Sequence, residues 1–217
     1  TANSGVDATT RTFTVNVTAV NDVPSFTKGA DITVLEDSGA NTSSGWATSI
    51  SAGPSDESGQ TLAFAVSNDN NSLFQSQPAI SSSGNLTFTP ASNANGSATV
   101  SVILSDNGGT TPGSGDDTFA TQTFTITITA VNDEPSFTKG SDITVLEDSG
   151  SNTTTGWASS ISKGPSNESS QSVTFTVSNN TNSLFSSQPA INSSGNLTFT
   201  TASNENGSAT VSVILSD

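Results

Sequence analysis

Val20-Asn21-Asp22-Val23-Pro24-Ser25-Phe26-Thr27 returns as Val131-Asn132-Asp133-Glu134-Pro135-Ser136-Phe137-Thr138, 111 residues later. The offset then holds without insertion or deletion. Trp46 maps to Trp157, Pro78 to Pro189, and residues 97–106 recur letter for letter as 208–217. A constant offset of this kind marks a tandem array of one folding unit. Its length suits a complete single domain and is too long for one turn of a solenoid. The chain therefore divides into three parts: residues 1–21, the closing strand of a preceding repeat; 22–132, a complete repeat; and 133–217, a repeat without its last strand. The Asn-Asp-x-Pro phrase is the junction.

Within each period, apolar and polar residues alternate in short runs, the two-residue rhythm of strands with one wet face. Arg11-Thr-Phe13-Thr-Val15-Asn-Val17-Thr-Ala19 and its copy Thr123-Phe124-Thr-Ile126-Thr-Ile128-Thr-Ala130 both read as strands. Further strands are expected at 24–27, an edge where the missing donor of Pro24 does little harm, at 31–36, and around Trp46 and Ile50. Others are expected at 62–66, 78–80, 86–88 and 98–104. Trp46 is the expected core plug and Leu73-Phe74 a cap. Residues 53–59 and 106–117 read as loops by composition. With no helical period anywhere, the fold class is all-β, a Greek-key β-sandwich of immunoglobulin type repeated in tandem.

Composition narrows the function. Hydrophobic residues make up 30% of the chain and charged residues only 11%. Such values predict thin sandwich cores under a surface of Ser, Thr, Asn and Gly, a style common outside the cell. There is no cysteine and hence no disulfide framework; in such domains a metal is the usual substitute. The net charge is −15, with Arg11, Lys28, Lys139 and Lys163 the only cations. That balance argues against nucleic acid and against anionic membranes as partners. An acidic excess of this size repels itself unless cations bind. No apolar run approaches a membrane span, and no signal-peptide pattern is seen.

The acids are clustered. Asn21-Asp22 and Asn132-Asp133 lie at the junctions, and Glu36-Asp37 and Glu147-Asp148 end a strand in Val-Leu-Glu-Asp-Ser-Gly. Asp106, repeated as Asp217, opens the Asp-Asn-Gly-Gly loop, and Asp116-Asp117 closes it. Carboxylates, amides and turn carbonyls are hard oxygen ligands that suit Ca²⁺. The absence of His and Cys excludes ordinary zinc, copper and iron sites. These residues are the candidate metal ligands. Against that stands a plainer role, since Asp and Asn favour turns by bonding their own backbone.

The phrases Ala-Val-Asn-Asp-x-Pro-Ser-Phe, Leu-Glu-Asp-Ser-Gly, Gly-Trp-Ala, Asn-Gly-Ser-Ala-Thr-Val and Asp-Asn-Gly-Gly span the whole chain. Together they resemble the tandem immunoglobulin-like and cadherin-like repeats of large bacterial surface proteins and adhesins. That resemblance implies an extracellular, cell-surface stalk or fibre whose junctions bind calcium, with Asp22, Glu36, Asp133 and Glu147 as ligands. The Asp-x-Asp and Asp-Arg-Glu signatures of eukaryotic cadherins are missing, so bacterial relatives are the better guide.

An enzyme is not expected. Without His or Cys the usual nucleophilic triads cannot form, and paired carboxylates that recur at loop ends in every repeat behave as structural ion sites. Trp46 and Trp157 could serve as carbohydrate platforms, but one tryptophan per sandwich more often fills the core. The alternative function is accordingly a carbohydrate- or ligand-binding module. It is disfavoured because roughly three-quarters of aligned positions match, loops included, whereas recognition loops diverge. Asn85-Leu-Thr and Asn196-Leu-Thr are glycan acceptor triplets by pattern, and Lys28 or Lys139 would need burial beside an acid to form an isopeptide.

The front of the chain carries a closing strand and the back lacks one. Either the chain is an excerpt of a longer array, or the front strand of one molecule fills the gap in the next by β-augmentation. The second arrangement is head-to-tail, does not close, and makes a filament.

Overall fold

In the computed structural model the described residues are 5, 8–109 and 117–217. Their regular structure is all β, apart from single turns of 3-10 helix. The first repeat forms β1 (Ser25–Thr27), β2 (Ile32–Leu35), β3 (Asn41–Ser43), β4 (Thr48–Ser51), β5 (Ala63–Asn68), β6 (Phe74–Ile80), β7 (Leu86–Pro90), β8 (Gly96–Ser105) and β9 (Gln122–Thr129).

These strands build two principal sheets. One has the order β2-β9-β8-β5, the other β3-β7-β6, and β1 pairs separately with β4. Within the larger sheet β9 runs antiparallel to β8 and parallel to β2, so it is bonded along both edges. The period-2 pattern of the sequence then points one set of side chains inward. Val100, Val102 and Leu104 of β8 and Phe124, Ile126 and Ile128 of β9 are buried against Leu86 and Phe88 of β7 and Phe74 and Ile80 of β6. One core drawn from two facing sheets gives the repeat its sandwich-like build. Trp46 lies inside it, its ring 4.2 Å from that of Phe124 and its Nε1 donating to the Ala30 carbonyl at 2.9 Å.

The second repeat forms β10 (Ser136–Thr138), β11 (Ser151–Thr154), β12 (Ser159–Ser162), β13 (Thr174–Asn179), β14 (Phe185–Ile191), β15 (Leu197–Thr201) and β16 (Val211–Ser216). The sheet β11-β15-β14 matches its counterpart in the first repeat, but the other sheet is reduced to β13-β16. Residues 143–146 repeat the Ile-Thr-Val-Leu of β2 yet form no strand. Only Ala158, Ile191, Leu197 and Phe199 are buried in this core.

Two expectations are corrected here. Residues 11–19 form no strand: Phe13 and Val17 are about 90% exposed (89% and 91%), because no described residue offers them a ladder. Residues 53–59 are not featureless loop, since Ser55–Glu57 makes a 3-10 turn that buries Glu57.

Candidate functional site at the junction

Each repeat presents acids at both poles, and the poles of the two repeats meet around residues 131–133. On the side of the first repeat, β2 ends at Leu35, and Glu36 extends the ladder by donating its N–H to the Thr129 carbonyl at 2.9 Å. The chain then turns through Asp37 and Gly39, both with positive φ (57° and 73°). The left-handed conformation suits Asp and Gly better than most residues. The turn drives the Glu36 side chain inward, where it is 2% exposed.

A carboxylate so placed must be satisfied. Oε1 accepts the Val131 N–H at 2.8 Å and the Asn167 amide at 3.1 Å. Oε2 accepts Asn167 at 3.3 Å and the Asn95 amide at 3.4 Å. Glu36 thus ties together the linker, the turn before β8 and the second repeat. Asp37 accepts the Asn93 N–H at 3.1 Å. With its amide nitrogen turned toward the carboxylates, Asn93 also donates to Asp37 at 3.3 Å and to Asp133 at 3.2 Å.

On the side of the second repeat, the 3-10 turn Ser166–Glu168 follows Pro165 and buries Glu168 to 5% exposure. Glu168 Oε1 accepts the Asp133 N–H at 2.6 Å. Its Oε2 is buried and has no hydrogen-bond partner, as is Asn167 Oδ1. Gly164, at φ 123°, makes the turn possible, since a Cβ there would collide with Glu168 Oε2. Asn132 accepts from Gln171 at 2.7 Å and donates to Asp217 at 3.1 Å. The carboxyl of Asp133 is held above its ordinary value of 3.8, first by desolvation and then by the negative charges of Glu168, Asp37 and Glu36. Four acids from two repeats therefore share one region and repel one another.

The same half-site recurs at the front of the first repeat. The Asp22 N–H is bound by Glu57 Oε1 at 2.7 Å, and Glu57 Oε2 is again buried without a partner. Asn21 donates to Asp106 at 3.1 Å and accepts from Gln60 at 2.6 Å. The carbonyl of Asp117 receives the Asp106 N–H at 3.0 Å.

The candidate ligands thus separate into three groups. Glu36, Asp37, Asn132, Asp133 and Asp217 lie at the junction; Asn21, Asp22, Asp106 and Asp117 at the front pole; Glu147 and Asp148 at the far pole. Asp148 has φ 59° and accepts the Asn204 N–H at 3.1 Å, while Glu147 is exposed. Asp116 lies outside the described residues. Sequence reading missed Glu57, Glu168, Asn93, Asn95 and Asn167. A signal existed for the first two: Pro-Ser-x-Glu keeps its acid in both copies while the residue before it changes from Asp56 to Asn167.

Among the described residues, no group of three or more acidic side chains is arranged as a ready-made metal site. The donors are nevertheless of one chemical kind, carboxylate and amide oxygens, which match a hard cation with flexible coordination. The buried, unpartnered oxygen of Glu168 is the atom such an ion would satisfy. Trp46 is 4% exposed and cannot serve as a carbohydrate platform. Lys139 pairs with Asp142 at 3.6 Å on the exposed surface, away from any buried acid.

Comparison with known protein families finds no family model that matches the chain, and comparison with curated proteins finds no significant match.

Proposed function

We propose that the chain is a structural repeat of an extracellular, calcium-stiffened cell-surface fibre or adhesin stalk, built of immunoglobulin-like, cadherin-like sandwiches. The observation that carries this reading is the buried, unpartnered Oε2 of Glu168 beside Asp133, Glu36 and Asp37. Charges placed so close in a partly dehydrated site destabilise the junction unless a cation neutralises them. Asp133, Glu168, Glu36 and Asp37, with amide oxygens of Asn93 or Asn167, would hold the ion. Once bound it would clamp two repeats in one orientation. Recurrence of the half-site at Asp22 and Glu57 suits an array in which every junction is built alike.

A calcium titration followed by small-angle scattering and calorimetry tests the reading. Calcium is expected to bind, narrow the distribution of inter-repeat angles and raise the melting temperature. Identical scattering and melting in calcium and in chelator would refute it.

A further inference from the structure

The second repeat has a cleft of about 790 Å³, lined by Val145, Leu146, Trp157, Phe199, Val211 and Val213 among others. In the first repeat the equivalent space is filled by β9, which bonds β8 on one edge and β2 on the other. The effect of the missing strand is visible along the walls. Residues 208–217 repeat 97–106 letter for letter, yet β8 has 10 residues and β16 only 6. Leu146 is 82% exposed, and Val211 is 38% exposed where its counterpart Val100 is fully buried.

The same chain carries a strand of the required design. Residues 11–19 align with 122–130: Phe13 with Phe124, Val15 with Ile126 and Val17 with Ile128, while Thr12, Thr14, Thr18 and Ala19 are unchanged. Their three apolar side chains are 69% to 91% exposed, and no strand forms there. We propose that the cleft receives residues 11–19 of a second copy of this chain as an added β-strand.

The register follows from that of β9. Ile126 lies opposite Ala98 on β8 and Ile32 on β2, so Val15 of the donor lies opposite Ala209 and Ile143. Thr14 then faces Thr210 and Phe13 faces Val211. Phe13 comes to rest against Trp157, as Phe124 does against Trp46. Arg11, a cation entering a chain of net charge −15, leads the strand in. The cleft of the same molecule is not the acceptor. β9 runs out of its own sheet directly into Asp133 at the front pole of the repeat that follows. By the same path residues 11–19 run into Asp22, so their acceptor lies in front of the first repeat, and the molecule's own second repeat lies behind it. A contact between the front of one copy and the back of another is heterologous and propagates into an open chain. This proposal goes beyond the calcium reading and does not depend on it.

The experiment uses the whole 217-residue chain, with calcium present. Sedimentation is expected to show species that lengthen with concentration. Phe13→Asp, at a position 89% exposed in the single chain, should weaken association by at least about thirtyfold, the loss typical of a central aromatic anchor. The melting of the first repeat should not change. A synthetic peptide of residues 8–20 should shift the tryptophan fluorescence, with or without calcium, and cap growth. Because the chain has no cysteine, single Thr14→Cys and Thr210→Cys variants can be mixed. They should cross-link, and Thr14→Cys with Ser178→Cys should not. A chain that stays monomeric at every concentration, a Phe13→Asp variant that assembles as the parent does, or cross-linking without regard to register would each overturn the proposal.

Discussion

The amide of Asn167 donates to both carboxylate oxygens of Glu36, at 3.1 and 3.3 Å, across 131 positions of chain and from one repeat to the other. It is a neutral donor placed where the aligned residue of the first repeat, Asp56, carries a charge. Asn167→Ala would leave Glu36 with only the Val131 N–H and the Asn95 amide. Loss of hydrogen bonds to a buried charge should weaken coupling between the repeats by about 1.5–3 kcal/mol. Chemical denaturation would show it as a separation of the two unfolding transitions, and scattering as a broader spread of inter-repeat angles.

Glu168 separates structural from ion-binding roles. Glu168→Gln retains an oxygen for the Asp133 N–H but removes the charge. In metal-free buffer the variant is expected to be at least as stable as the parent, because one of four crowded negative charges is gone. In saturating calcium it should lose most of the stabilisation seen in the parent, which is about 2.7 kcal/mol at a hundredfold excess over Kd. Melting curves of both proteins in chelator and in calcium give the four values needed.

The pH response of the junction has a definite sign. Asp133 titrates above 3.8 in the folded protein, so over the window from 3.8 up to its folded value the folded state binds more protons than the unfolded one. Stability from this group is therefore present at low pH and lost as pH rises through the folded value. In metal-free buffer Asp133→Asn should be the more stable protein near neutral pH, with the difference vanishing below about 3.8. Calcium should reverse the order, because it stabilises the carboxylate. Calorimetry of the two proteins across pH checks this.

Much of this arrangement can be read from the letters. The alternation that places Val100, Val102, Leu104, Phe124, Ile126 and Ile128 in one core is a strict period of two, and burial follows it. Junction residues Asn132 and Asp133 are equally plain, because a phrase that returns at constant spacing marks a boundary. Glu57 and Glu168 are not, because short polar runs with Gly and Pro carry no period from which burial can be inferred. Their inward turn depends on contacts more than thirty residues away in the chain. Residues 11–19 fail for another reason: alternation shows that a segment can be a strand, whereas a ladder also needs a neighbour.

Strand addition by a second copy would create a junction that differs from the internal one at a single telling place. Asp56 of the donor molecule takes the position of Asn167 and meets Glu147, the counterpart of Glu36. Two acids face each other there with no amide between them. Association of whole chains should therefore fall in chelator, and Asp56→Asn should restore much of it. Sedimentation of both proteins with and without calcium decides the matter.

The first repeat offers a control on the cost of an incomplete sheet. Phe124→Ala removes the ring that packs on Trp46 and should destabilise that repeat by about 3–5 kcal/mol. Tryptophan fluorescence during denaturation should then show two transitions closer together than in the parent.

The unequal lengths of β8 and β16 carry one more consequence. A single ten-letter word is spelled twice in this molecule and takes two shapes, so its conformation is decided by company and not by composition. Completion of the second copy becomes a bimolecular event, governed by concentration as a dimerisation is, while the first completes itself at any dilution. Twins in sequence would then differ in the very order of their folding reaction.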